Sequence, residues 1–185
     1  EQNPKLVRVG KKYFLNISYE KDIPLNKTKI EEQKICSVDL GLTNSAVCSI
    51  VDCNGTVLAR TFINQAREKD QYEKTVNKLK KAQRLSSVPI QAPRYWNRIN
   101  GLRQFILIDT ATQIMRFAKE HEAHVIVFEY LEKMKVPKGM YGAKRLRFKL
   151  HHWDKIGIQN KVKQMAHYEG IRFARINPRN TSKLA

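Results

Sequence analysis

A chain of 185 residues with 42% hydrophobic content has enough apolar material for one good-sized core and too much for a disordered tail. Its 35 Lys and Arg against 17 Asp and Glu leave a net charge of +18, a field that favours a polyanionic partner, nucleic acid first, over acidic protein surfaces. No apolar run reaches the about 18 residues of a membrane span, and no basic amphipathic segment stands apart from the core elements, so membrane attachment is set aside.

In chain order, "KLVRVGKKYFLNISYE" gives two short alternating runs joined at Val9, Gly10 and Lys11, the pattern of a β-hairpin. "KDIPLNKTKIEEQ" is polar and carries Pro and Asn, which predicts a linker over residues 21 to 33. Residues 1–33 thus read as the end of a separate β-rich unit plus a linker, and residues 34–185 as the main domain. Three β-branched runs follow, "KICSVDL", "SAVCSIVD" and "GTVLARTFI", the last two separated by an Asn54-Gly55 turn signal; they predict a three-stranded antiparallel meander. "QYEKTVNKLKKAQRL" spaces Tyr72, Val76, Leu79 and Leu85 on one helical face, with Pro89 and Pro93 ending the helix. A longer helix begins at Trp96, and its apolar positions widen around Phe105 to Ile108, which predicts burial on more than one side. "AHVIVFEYL" has the continuous apolar character of a buried parallel strand. A Gly- and Lys-rich loop, a helix over "WDKIGIQNKVKQMAHYEG" and a strand over "IRFARIN" complete the order β-β-β-α-α-β-α-β, an α/β mixed sheet with helices packed on it.

Cys36, Cys48 and Cys53 form no CxxC pair and have no histidine nearby, which fits buried, reduced thiols. An odd count with no signal peptide points to a reducing, cytoplasmic setting.

The chemistry concentrates on two strand ends. Asp39 closes the first meander strand and Glu129 the strand after the helices. If those strands are parallel neighbours, both carboxyls reach the carboxyl edge of the sheet, where open α/β sheets place their sites. Two close carboxylates raise each other's pKa, and a hard divalent cation, Mg²⁺ or Mn²⁺, relieves that repulsion through oxygen ligands. Gly41 would let the backbone turn sharply beside such an ion. The plainer alternatives are a turn-forming Asp before Gly and a Glu emerging into solvent.

"VDLGLTNSAV", "VIVFEYLEKMKVPKGM" and "GIRFARINPRNTSK" resemble, in that order and spacing, the RuvC-like nuclease region of TnpB/OrfB-type proteins of bacterial insertion sequences, relatives of the type V CRISPR effector nucleases. The resemblance covers about residues 34 to 183. It implies an RNase H-like (RuvC-like) fold and an RNA-guided, Mg²⁺-dependent DNA endonuclease with DNA and a guide RNA as partners. It also implies metal-ligand roles for Asp39 and Glu129 and a place at the bacterial nucleoid. Proteins of this kind carry the name transposase, although the nuclease does not itself join transposon ends. The sequence departs from the pattern at Tyr130, where relatives have Asp or Asn, and it stops before the position of their CxxC zinc ribbon, the one place for Zn²⁺, and their third catalytic Asp. Asp52, Asp109 and Asp154 read instead as a turn residue, a helix residue and a helix N-terminal residue.

Basic residues supply the expected nucleic-acid contacts. "KRLRFKLHHWDK" interleaves aromatics with cations, so Lys144, Arg145, Arg147 and Lys149 are expected to meet phosphates, with Phe148 or Trp153 stacking on a base or packing in the core. The solvated face of the first helix adds Lys78, Lys81 and Arg84. Two other classes stay open: a nucleic-acid-binding module without catalysis, and an actin-like kinase, whose phosphate loop "DLGLTN" also resembles but which needs two such domains.

Overall fold

Strand β1 (Lys5–Val9) pairs antiparallel with β2 (Lys12–Asn16) as the expected hairpin, in a computed structural model that describes residues 3–87, 91–130 and 153–177. Every residue of the two strands is exposed. The linker is less free than its composition predicts. Its Asn26 amide donates to the Gly170 carbonyl at 3.0 Å, and a Cβ on Gly170, whose φ is +70°, would come within 2.7 Å of the Pro24 carbonyl oxygen.

The meander forms as predicted, from β3 (Ile35–Asp39), β4 (Ala46–Val51) and β5 (Val57–Ile63). Strand β6 (Val125–Glu129) then lies parallel to β3, and β7 (Arg172–Ile176) parallel to β6, giving one five-stranded mixed sheet in the order β5-β4-β3-β6-β7. Helix α1 spans Ala66–Leu85, α2 spans Pro93–Glu120 and α3 spans Lys155–Tyr168. Pro93 begins α2 rather than merely ending α1; a first-turn proline sacrifices an N–H that has no helical partner in any case.

Strand alternation divides the sheet into two unlike faces. Cys36, Val38, Ala46, Cys48, Ile50, Ile126 and Phe128 point to one side and form the main core with Ala111, Ile114 and Ala118 of α2 and Ile158, Val162 and Ala166 of α3. The other face, carried by alternate residues such as Ser37, Asp39, Val47 and Val127, is half-buried to exposed. Val76 and Leu79 of α1 pack with Ile99 of α2 in a small second core.

The structure corrects two expectations. Helix α2 is buried on more than one side, Ile99 against α1 and Leu107, Ala111 and Ile114 against the sheet and α3, but Phe105 and Ile108, 51% and 42% exposed, are not part of that burial. Cys36 and Cys48 are buried free thiols, but Cys53 sits exposed at the β4–β5 turn. Hydrogen bonding to Cys36, with burial, pushes the Cys48 thiol far up. Among the described residues no helix is long and apolar enough to cross a membrane.

Candidate functional site

Asp39 and Glu129 end two adjacent parallel strands. The β3–β6 ladder runs from Ile35 opposite Val125 to Val38 opposite Phe128, and Asp39 and Glu129 are the next residues of each strand. Val38 and Phe128 turn into the core, so by alternation both carboxyls stand on the open face. Asp39 is exposed and Glu129 half-buried. Desolvation, and secondly the charge of Asp39, raise the Glu129 carboxyl above its ordinary range. The two groups therefore interact, and the proton affinity of one registers the presence of the other.

The sheet register extends this pair into a row. Phe62 lies opposite Val47, Val47 opposite Asp39, and Glu129 opposite Ile176, so the row across the open face reads Phe62, Val47, Asp39, Glu129, Ile176. Buried Gln159 of α3 fixes the end of β6 from behind by donating through Nε2 to the Glu129 carbonyl at 2.9 Å.

The loop from Leu40 to Ser45 holds Asp39 from the other direction. Lys69 of α1 donates through Nζ to the carbonyls of Thr43, at 2.7 Å, and Leu42, at 3.2 Å. Burial lowers the Lys69 pKa. One helical turn earlier, buried Gln65 bonds the Ser45 hydroxyl and donates through Nε2 to Asp109 at 2.9 Å and Thr110 at 3.1 Å. Gly41 serves the loop through space rather than through a left-handed backbone, since an added Cβ would lie 2.9 Å from the Asn44 carbonyl oxygen. A mostly apolar cavity of about 140 Å³ lies on the helix side of this loop, lined by Leu42, Tyr72, Leu107 and Trp153 among others; neither carboxylate faces it.

Two hard oxygen donors that repel each other suit a divalent cation of the Mg²⁺ or Mn²⁺ kind. Among the described residues no cluster of three His, Cys, Asp or Glu forms around them. The other aspartates are occupied as expected. Asp52 accepts from the Asn54 and Thr56 amides at 2.9 and 2.8 Å, Asp109 accepts from Gln113 at 2.6 Å, and Asp154 caps α3 by accepting from the Gly157 amide at 3.0 Å. The Lys69 clamp and the Gln65 relay have no signature in the sequence, because both lie in a stretch with no apolar period to mark it.

Lys78, Lys81 and Arg84 are exposed on α1. Trp153 packs at half-burial against the main core with the Lys155 ammonium 5.8 Å from its ring centre, so the packing reading applies to it. Lys144, Arg145, Arg147, Phe148 and Lys149 lie outside the described residues.

No family model matches the chain. A TnpB-like protein of Aquifex aeolicus (strain VF5) is 25% identical over 194 aligned residues, covering 98% of this chain and 63% of that protein. Among solved structures, Cas12f1 in a complex with sgRNA and target DNA matches with a TM-score of 0.61 at 20% identity, over 96% of this chain and 42% of that one. A CRISPR-Cas12f ternary complex matches with a TM-score of 0.60 at 21% identity, over 97% and 36%. The chain thus spans less than two thirds of each relative's length. It is similar in sequence to a TnpB-like protein and in fold to Cas12f, the same TnpB-type, Cas12-related resemblance that its three motifs carry.

Proposed function

We propose that this chain is the RNase H-like nuclease portion of a transposon-associated, RNA-guided DNA endonuclease. The observation that carries the reading is the placement of Asp39 and Glu129 at the ends of adjacent parallel strands on one face. The sheet supports it too: the first meander strand is central, with the antiparallel strands on one side and the parallel pair on the other. The relatives add weight, since the Cas12f1 structure is a complex with sgRNA and target DNA. The hairpin of residues 5–16 would then be the end of a β-rich nucleic-acid-binding unit.

Asp39 and Glu129 would hold Mg²⁺ or Mn²⁺. In two-ion phosphodiester hydrolysis such cations activate the attacking water and stabilise the leaving oxygen. The protein's own contribution is positional. Gln159 and the Lys69 clamp keep both strand ends in place, and the basic residues supply phosphate contacts without sequence preference. With a pair rather than a trio of carboxylates among the described residues, this chain alone binds nucleic acid without measurable cleavage. A third carboxylate, and a Zn²⁺ ribbon, would belong to a longer protein.

The test is Mn²⁺ titration with paramagnetic broadening, beside single- and double-stranded DNA cleavage with Mg²⁺ and Mn²⁺. Broadening centred on residues 39 and 129 and abolished by Asp39→Asn or Glu129→Gln is expected; broadening indifferent to both substitutions would remove the site. Cleavage that disappears in Glu129→Gln would place a third ligand within these residues and sink the inactivity reading.

A further inference from the structure

The open face of the sheet carries a second chemical pairing beside the carboxylates. Phe62, in the same row as Asp39, is 63% exposed. Two residues back along β5, Arg60 points to the same face in the neighbouring row, opposite Ser49, with its Nε donating to the Ser49 hydroxyl at 3.1 Å. That bond holds the guanidinium against the sheet and leaves its terminal nitrogens for another acceptor; among the described residues no carboxylate forms an ion pair with it. Two strand spacings separate Phe62 from Asp39, about 10 Å. Trp96 and Phe105, also exposed, belong to α2, which packs on the opposite, core face of the sheet.

A cation and an exposed ring side by side match the two recurrent parts of a nucleotide, phosphate and base. We propose that Arg60 and Phe62 form a nucleotide subsite for a single strand, the guanidinium taking a phosphate and the ring stacking on the attached base, next to the phosphodiester held at Asp39 and Glu129. The occupant is a single strand because a duplex hides the base faces that Phe62 would need. The net charge of +18 favours such a polyanion on a face that otherwise carries two carboxylates. This inference rests on the reading that nucleic acid is the partner, and it extends that reading by giving the strand a direction, from the carboxylate pair toward the β5 edge.

The experiment uses the full 185-residue chain and a fluorescein-labelled oligothymidine, with anisotropy read across a salt series in EDTA, so that a failed metal site cannot fail it. Phe62→Ala should weaken oligothymidine binding about fivefold or more, as loss of one stacked base does. It should leave unchanged both the salt slope and the affinity for an abasic strand of equal length. Phe62→Trp should keep the affinity and show tryptophan quenching on binding, which also controls for misfolding. Arg60→Gln should reduce the slope by about 0.7, one phosphate contact on a single strand. Equal losses for the abasic strand, or oligothymidine binding indifferent to Phe62→Ala, would overturn the subsite alone. No binding by the unaltered chain would overturn the nucleic-acid reading along with it.

Discussion

Gln159 holds Glu129 by its main chain, its buried amide donating to the Glu129 carbonyl at 2.9 Å. The bond engages the main chain and not the carboxyl, so the strand end is fixed from the helix side. Replacing Gln159 by Leu would leave that carbonyl without its partner, a loss of about 1–3 kcal/mol. Urea denaturation should show a lower midpoint with an unchanged slope, and an unshifted midpoint would mean that water replaces the amide.

Glu129 predicts an unusual pH response. Its carboxyl is raised in the folded chain, by desolvation first and Asp39 second, so the folded state holds a proton that the unfolded state has released. Through that window stability falls as pH rises, and the penalty is complete above the folded pKa. Glu129→Gln should therefore raise the Tm at pH 7 in EDTA and flatten its dependence on pH above the ordinary glutamate range. Mg²⁺ should raise the Tm of the unaltered chain but not of the variant.

Lys69 predicts a different signature. Its ammonium bridges the Leu42 and Thr43 carbonyls, so Lys69→Met should speed amide hydrogen exchange in residues 41–45 and weaken Mn²⁺ binding, while Lys69→Arg restores part of both. Unchanged exchange in the Met variant would show that the Gln65 relay alone suffices.

Phosphate binding by α1 is tested by salt. If Lys78, Lys81 and Arg84 each neutralise a phosphate, replacing all three by Gln should reduce the log K against log salt slope on duplex DNA by about 0.9 per phosphate. A slope that does not move would place the phosphate path away from this helix.

The meander is legible because its runs are apolar, β-branched and punctuated by Asn54-Gly55, and the two carboxylates because each interrupts such a run. Other features leave weaker traces. Helix α1 begins at Ala66, well before Tyr72, because "AREKD" is helix-compatible yet lacks the apolar period that would reveal it. Phe105 and Ile108 look like core residues in one dimension, and only the orientation of α2 over the sheet leaves them outside. The row joining Phe62 to Asp39 depends on pairing register across three strands, which the local pattern does not encode. Tyr130, just past the end of β6, donates its amide to the Ile176 carbonyl at 2.8 Å, a link between strands that the local pattern does not mark.

The seat of Asn26 and Pro24 against Gly170 has a mechanical consequence. Ten Cα-to-Cα steps lead from Asn16, the end of the hairpin, to Asn26, a tether of at most about 36 Å when taut. A pull on the hairpin reaches the Gly170 anchor before it reaches β3. The anchor thus acts as a cable clamp, absorbing tension between α3 and β7, far along the sheet from the carboxylates. Whatever load the hairpin bears, the strand that carries Asp39 is spared it until the clamp lets go.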